Sequence, residues 1–127
     1  GMGEDMQFKY VSPTPILNPG VPMVHISTSL DEWRMTCAQD DTGYPWCWGH
    51  NDFGELGNGT VTDTGTPTRV YYAPAPYLPG SLSVGAGHAL ILTIHYKPYG
   101  FGQNFSGNCG LGNLNYTSIP LAVLASQ

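Results

Sequence analysis

The sequence is poor in charged side chains, and basic side chains are the scarcest. Only 10% of the 127 residues are charged, and four lysine and arginine residues stand against nine aspartate and glutamate residues, which gives a formal net charge of −5. Proteins that bind a nucleic acid backbone need clustered positive charges to neutralise the phosphates. The composition therefore predicts that nucleic acid is not a partner.

Long apolar runs are also missing. The longest candidate is ALILTI at 89–94, whereas a membrane-spanning helix needs about 20 apolar residues. The first residues, GMGEDM, lack the basic and apolar regions of a signal peptide, and Gly1 before Met2 is typical of an expression scar. We therefore predict no membrane partner and interpret residues 1–11 as an N-terminal extension.

Cysteine and histidine are few and scattered. The three cysteines and four histidines lack the CxxC-type spacing of a zinc site, so we predict neither a metal nor a cofactor. No spacing of serine, histidine and carboxylate indicates nucleophilic catalysis, and all nine acidic residues lie between Glu4 and Asp63. The sequence predicts no catalytic residue, and a protein that is not an enzyme.

Glycine and proline, by contrast, are abundant. The chain has 17 glycines and 11 prolines, with 41% hydrophobic residues, which is typical of a turn-rich globular domain. No stretch has the 3.6-residue apolar period of an amphipathic helix. These features predict an all-β fold.

The chain repeats itself at a distance of 53 residues. The stretch CWGHNDFGELGNGT at 47–60 returns as GFGQNFSGNCGLGN at 100–113, with Trp48 or Phe101 before the first shared glycine. The shared loop positions are Gly49 and Gly102, Asn51 and Asn104, Gly54 and Gly107, and Gly57 and Gly110. A shorter match, SPTPIL at 12–17, is the end of a preceding copy. We therefore divide the chain into residues 12–70, holding that end and the first full repeat, and residues 71–127, holding the second.

Each copy contains short stretches typical of β-strands separated by turns. The first copy has MTCAQ, PWCWG and TPTRVYY, and the second has HALILTI, PYGFG and IPLAVLA. Three or four short strands in about fifty residues are typical of one antiparallel blade of a β-propeller.

The motifs GHNDFGELGNG, TPTRV, VGAGH and TCAQDDTGYPWCWG resemble the repeats of the regulator of chromosome condensation family. The resemblance implies an all-β fold of antiparallel four-stranded blades, forming a partial β-propeller with about two blades per chain. This sequence departs from the family pattern at three positions: Met35 replaces a histidine that opens a strand, Phe101 replaces a tryptophan, and Cys109 replaces a leucine.

The repeated glycines have a structural interpretation. A loop between packed strands needs positive φ angles and close backbone approach, which glycine supplies. The alternative, a phosphate-binding loop, is disfavoured because the spacing fits neither nucleotide-binding glycine motif and no lysine or arginine lies in the loop. Trp48 and Phe101, at equivalent positions, are interpreted as anchors of the blade core.

Cys37 and Cys47 flank the predicted turn Asp40–Gly43 symmetrically, so they would face each other across a hairpin. The second copy has Leu90 and Gly100 at these positions, and both cysteines are lost together. Two alternatives stay open: a disulfide, which would favour a secreted or cell-surface location, or two small buried thiols in a reducing compartment.

Two blades leave open faces, because each blade of a propeller buries its faces only against its neighbours. The chain is therefore either part of a longer protein or a unit that self-associates, and we predict self-association. The non-repeating insertion STSLDEWR at 27–34 offers partner-binding candidates, namely Asp31, Glu32, Trp33 and Arg34, although Trp33 could instead cap the blade. The predicted function is a non-catalytic protein-interaction scaffold. The resemblance also implies an alternative, since relatives promote nucleotide exchange on a small GTPase or inhibit an enzyme.

Overall fold

The computed structural model describes residues 20–29, 34–70, 76–103 and 117–123. The first four strands form one antiparallel sheet in the order β1-β2-β3-β4, and the last four form a second in the order β5-β6-β7-β8. The strands are β1 (Met23–Thr28), β2 (Met35–Asp40), β3 (Pro45–Gly49), β4 (Thr64–Arg69), β5 (Ser83–Val84), β6 (His88–Leu92), β7 (Pro98–Gly102) and β8 (Thr117–Ala122). The predicted all-β fold of four-stranded blades is confirmed. No helix in these residues is long and apolar enough to cross a membrane.

The two sheets have the same strand register, displaced by 53 residues. In the first central hairpin Met35 lies opposite Gly49, and in the second His88 lies opposite Gly102. The pairing with the outer strand is interrupted at equivalent places, between Cys47 and Gly49 and between Gly100 and Gly102. The repeat seen in the sequence is therefore a repeat of backbone structure.

The first strand of each sheet departs from this displacement. Ser27 lies opposite Cys37, whereas Ser83 lies opposite Leu90, so β1 and β5 correspond at a distance of 56 residues. The connection from β1 to β2 covers residues 29–34, and that from β5 to β6 covers only 85–87. The insertion predicted from the sequence thus lengthens the first connection by three residues.

The turn of the β2–β3 hairpin is closed by one carboxylate. Asp40 Oδ1 accepts hydrogen bonds from the backbone N–H groups of Thr42, at 2.9 Å, and Tyr44, at 3.0 Å. Gly43 completes the turn with φ 89°, which a residue without Cβ adopts at no steric cost. The equivalent turn of the second sheet has Tyr96 at this position with φ 62°.

The apolar core lies between the two sheets. The first sheet supplies Met35, Cys37 and Cys47, the second supplies Ala89, Ile91 and Phe101, and Leu82 lies directly before β5; all of them are buried. Leu56, from the connection after β3, belongs to the same cluster. Because the core needs both sheets, two neighbouring blades stabilise each other here.

Candidate functional site

The loop from β3 to β4, residues 50–63, reaches from the first sheet to the second. The backbone N–H of Gly59 donates to Ser118 O at 2.7 Å. A Cβ atom added to Gly57 would lie 2.6 Å from a ring carbon of Phe101, and one added to Gly54 would lie 2.6 Å from Ser118 Cα. Both glycines have positive φ angles, so close approach and conformation each require glycine. We call residues 50–63 the corner loop.

Asn51 organises the corner loop from its centre. Its side chain is fully buried; Oδ1 accepts from the backbone N–H of Leu56 at 3.0 Å, and Nδ2 donates to the carbonyls of Thr60 and Thr62, each at 3.0 Å. Its backbone N–H donates to Asp63 Oδ1 at 2.8 Å. The side chain and the backbone N–H of one residue therefore hold the two ends of the loop together. The side-chain bonds need both a donor and an acceptor, which explains why an asparagine belongs at this position.

Gln39 links the two blades by hydrogen bonds to the backbone. Its buried amide donates to Gly43 O at 2.8 Å and to Leu78 O at 3.1 Å, and its Oε1 accepts from Leu82 N–H at 3.0 Å. The contact continues along β1, where His25 Nε2 lies 2.9 Å from Leu82 O. The blades are thus held together by directional polar contacts as well as by the apolar core.

A histidine and three carboxylates gather on the corner loop. His50 Nδ1 lies 2.5 Å from Oε2 of the fully buried Glu55, and His50 Nε2 lies 3.2 Å from Asp52 Oδ2. Burial opposes the charged imidazolium, but the hydrogen bond with Glu55 and the negative charges of Glu55, Asp52 and Asp63 outweigh it and raise the pKa of His50. The loop therefore favours a positive charge at this point.

A second polar cluster lies at the end of the β2–β3 hairpin. The Arg69 guanidinium lies 4.0 Å from the centre of the Tyr44 ring and 5.6 Å from that of Trp46. Trp46 Nε1–H donates to Asp40 Oδ2 at 3.1 Å. Burial favours the neutral form of Asp40, but hydrogen bonds from Thr42, Trp46 and Tyr44 outweigh burial and lower the pKa of this carboxyl.

The cysteine pair predicted across the hairpin forms a disulfide. Cys37 lies directly opposite Cys47, with their Cα atoms 4.1 Å apart, and both side chains are fully buried. The second sheet has Leu90 opposite Gly100 at the same place. The disulfide is therefore an addition to the first blade, and the strand pairing does not require it.

The remaining predicted residues fall into two groups. Trp48, Gly49 and Gly102 lie buried in the hairpins, and Arg34 is exposed at the end of the inserted connection with φ 48°. Outside the described residues lie the partner-binding candidates Asp31, Glu32 and Trp33 and the repeat positions Asn104, Gly107 and Gly110.

Gln39 and Glu55 were missed by the sequence analysis. Both are buried and polar, yet neither belongs to the motif that the two copies share. The available signal was the difference between the copies, because the positions 53 residues on hold Leu92 and Asn108. A polar residue that differs between the copies is thus a candidate for a contact that only one blade makes.

Two antiparallel four-stranded blades with the same register define this chain as part of a β-propeller built from repeats. The profile described as "Regulator of chromosome condensation (RCC1) repeat" matches residues 43–92. This segment is therefore a repeat of the regulator of chromosome condensation family, as the sequence motifs predicted.

Two relatives with similar sequences are much longer than this chain. The chain is 37% identical over 75 residues to the "Protein RCC2 homolog" of Xenopus laevis, covering 56% of this chain and 14% of that protein. It is 30% identical over 141 aligned residues to the "Ultraviolet-B receptor UVR8" of Arabidopsis thaliana, covering 100% of this chain and 30% of that receptor. The chain thus spans less than a third of the length of these relatives.

Solved structures show the same fold. Human WBSCR16 superposes with a TM-score of 0.75 at 23% identity, covering 96% of this chain and 33% of that one. Prp20p from Saccharomyces cerevisiae superposes with a TM-score of 0.71 at 17% identity, covering 87% of this chain and 27% of that one. Prp20p was studied for its binding to Gsp1p and histones.

Proposed function

We propose that the chain is a non-catalytic protein-interaction scaffold, a partial β-propeller whose open sheet face receives another blade of the same kind. When the chain is alone in solution, a second copy of the same chain supplies this blade. The proposal is supported above all by the exposed apolar face of β1.

The comparison of β1 with β5 carries this argument. By strand register Ile26 corresponds to Leu82, since each precedes the serine that lies opposite Cys37 or Leu90. Leu82 is 3% exposed in the core between the blades, whereas Ile26 is 59% exposed. Val24, on the same face of β1, is 56% exposed. An apolar strand face that is covered in one blade and open in the other fits a missing neighbour.

Charge also favours association between copies. Counting aspartate, glutamate, lysine and arginine, residues 1–63 carry −7 and residues 64–127 carry +2. A second copy that placed its basic half near the acidic half of the first would be attracted to it, most strongly at low ionic strength.

Light scattering coupled to size exclusion tests this proposal. We expect the wild-type chain to run as an oligomer at micromolar concentration. Ile26→Glu should shift it to the monomer, because association would bury the new charge in the contact between copies. Ile94→Glu is the matched control, since Ile94 is 42% exposed but lies on the β6–β7 turn. A wild-type chain that runs as a compact monomer would reject self-association.

The inserted connection is the partner-binding segment in this proposal. Asp31, Glu32, Trp33 and Arg34 belong to the connection from β1 to β2, which is three residues longer than its counterpart in the second copy, and Arg34 is exposed. If Trp33 contacts a partner, Trp33→Ala should leave the melting temperature within about 2 °C of wild type. A large loss of stability would instead indicate that Trp33 caps the blade.

Nucleotide exchange on a small GTPase is the catalytic alternative that the family resemblance implies, and Gsp1p is a protein whose binding to Prp20p has been described. A nucleotide-release assay with Gsp1p separates the two functions. We expect no acceleration of release by this chain, and any concentration-dependent acceleration would replace the non-catalytic proposal.

We also propose a secreted or cell-surface location. The disulfide between Cys37 and Cys47 supports it, because such bonds persist in oxidising compartments. The sequence has three cysteines, so thiol titration of the denatured, unreduced natural protein should find one free thiol per chain. Three free thiols would indicate a reducing compartment.

A further inference from the structure

Three side chains of the corner loop bring possible metal ligands together. His50, Asp52 and Asp63 each offer one ligand atom, and these atoms all lie within 4.8 Å of one another. The His50 Nε2 and Asp52 Oδ2 atoms are 3.2 Å apart. Two such ligands bound tetrahedrally to Zn²⁺ at 2.0–2.1 Å would be about 3.3 Å apart. This pair therefore already has the spacing of two ligands to one ion.

The fully buried Glu55 fixes the orientation of the His50 ring by a hydrogen bond. The His50 Nδ1–H group donates to Glu55 Oε2, and Glu55 Oε1 accepts from the backbone N–H of Phe53, each at 2.5 Å. Glu55 has no exposed side-chain surface, so the ring is held from the protein interior while Nε2 faces Asp52. Histidines that bind metals almost always donate their other ring nitrogen to a carboxylate, a carbonyl or water.

The second copy shows that the repeat does not need these groups. The residues 53 positions after His50, Asp52, Glu55 and Asp63 are Gln103, Phe105, Asn108 and Tyr116, none of which carries a charge at neutral pH. The scaffold of the loop, by contrast, is shared, because Asn51 and its glycines recur. Four ionisable residues that gather at one point in one copy and are all replaced in the other indicate a role beyond the blade fold.

We propose that His50, Asp52 and Asp63 bind a divalent transition metal ion, with Glu55 as the positioning residue of the imidazole. One imidazole and two carboxylates are a donor set that suits Zn²⁺ and related ions. Asp52 and Asp63 are exposed, so an ion would be reached from solvent and would keep a coordination position for water or a partner's side chain. This inference revises the expectation of no metal and does not depend on the proposed association of blades.

Calorimetric titration of the full chain with Zn²⁺ alone, in a buffer that does not bind metals, tests the site. We expect one equivalent to bind, and we expect His50→Gln and Asp52→Asn each to weaken binding at least tenfold. Glutamine is the residue that the second copy has at the histidine position, and Asp52 is 65% exposed, so both variants should fold. His95→Gln, at an exposed turn histidine, is the matched control and should bind as the wild type does.

A spectroscopic measurement distinguishes direct ligation from nonspecific binding. The ¹⁵N signal of His50 Nε2 should shift on addition of Zn²⁺, and Glu55→Gln should weaken binding 10- to 100-fold, the range seen when partners of metal-bound histidines are changed. The Glu55→Gln substitution should also alter the tautomer of His50 in the metal-free protein. The proposal is overturned if the wild type binds no stoichiometric Zn²⁺, or if His50→Gln and Asp52→Asn bind it as tightly as the wild type.

Discussion

The first blade and the second blade have the same backbone register but differ in the side chains that lie around it. The β2–β3 hairpin is closed by a glycine turn, an aspartate and a disulfide, whereas the β6–β7 hairpin has Tyr96, Thr93 and the pair of Leu90 and Gly100 at these places. The shared residues thus specify the blade, and the residues that differ adapt each blade to its neighbours.

The turn glycine of the first blade should be the position most sensitive to substitution. A Cβ on Gly43 would lie 2.2 Å from Tyr77 O, and φ is 89°. Gly43→Ala should lower the free energy of unfolding by at least about 3 kcal/mol, because it adds a clash with backbone to the strain of the left-handed conformation. Urea denaturation measures the loss.

Gly80→Ala is the control that separates these two causes. Gly80 has φ 81°, and a Cβ there would meet nothing within 4 Å. This variant should lose only about 1–2 kcal/mol, from conformation alone. Equal losses at the two positions would show that the close contact between Tyr77 O and position 43 adds nothing to the cost of the substitution.

Removing the disulfide should have the next largest effect. The cross-link between Cys37 and Cys47 closes a loop of about ten residues. By lowering the conformational entropy of the unfolded chain, it should raise the free energy of unfolding by about 2–3 kcal/mol. The double variant Cys37→Ala and Cys47→Ala, followed by thermal unfolding, should show this loss. Added reductant should then destabilise the wild type but not the variant, and an equal effect on both would contradict the assignment.

Breaking the polar contact between the blades should cost about 2 kcal/mol. Gln39→Leu introduces the residue of the second copy and leaves Leu82 N–H and Leu78 O without their side-chain partner. Gln103→Leu is the matched control, because it makes the same substitution at a glutamine that is only partly buried. If both variants unfold at the same urea concentration, the amide does not hold the blades together.

These differences explain which features the sequence could predict. The spacing of Gly54, Gly57 and Asn51 is local, and each recurs 53 residues later, so the blade fold was visible in the pattern. Gln39 reaches Leu82 across 43 residues, and only the packing of two sheets brings them together. The prediction of no metal considered only the spacing of cysteines and histidines, whereas the closure of the corner loop places His50 beside the carboxylates of Asp52 and Asp63.

The turn carboxylate makes the first blade sensitive to acid. Because the pKa of Asp40 is lowered in the folded protein, its contribution is complete above the pKa of the unfolded chain and is lost as pH falls through the folded pKa. Asp40→Asn should cost about 1 kcal/mol at neutral pH, and this difference from wild type should vanish in acid. Urea unfolding over a pH series measures it, with the exposed Asp41→Asn as the control. A difference that persists at low pH would contradict the role of the charge.

The smallest effect is expected at a residue of the second blade that the first blade covers. Tyr77 is 1% exposed, and within the described structure its hydroxyl has no hydrogen-bond partner. Its ring meets that of Tyr44 edge to face, with centroids 6.4 Å apart. Tyr77→Phe keeps this packing and removes a buried hydroxyl that pays its desolvation cost without a bond, so it should be neutral or stabilise the chain by up to about 1 kcal/mol. Tyr44→Phe, which removes a hydroxyl donating to Val70 O at 2.7 Å, should destabilise instead. If Tyr77→Phe lost as much stability as Tyr44→Phe, the Tyr77 hydroxyl would have a partner in solution, and the contact between the blades would be more polar than described.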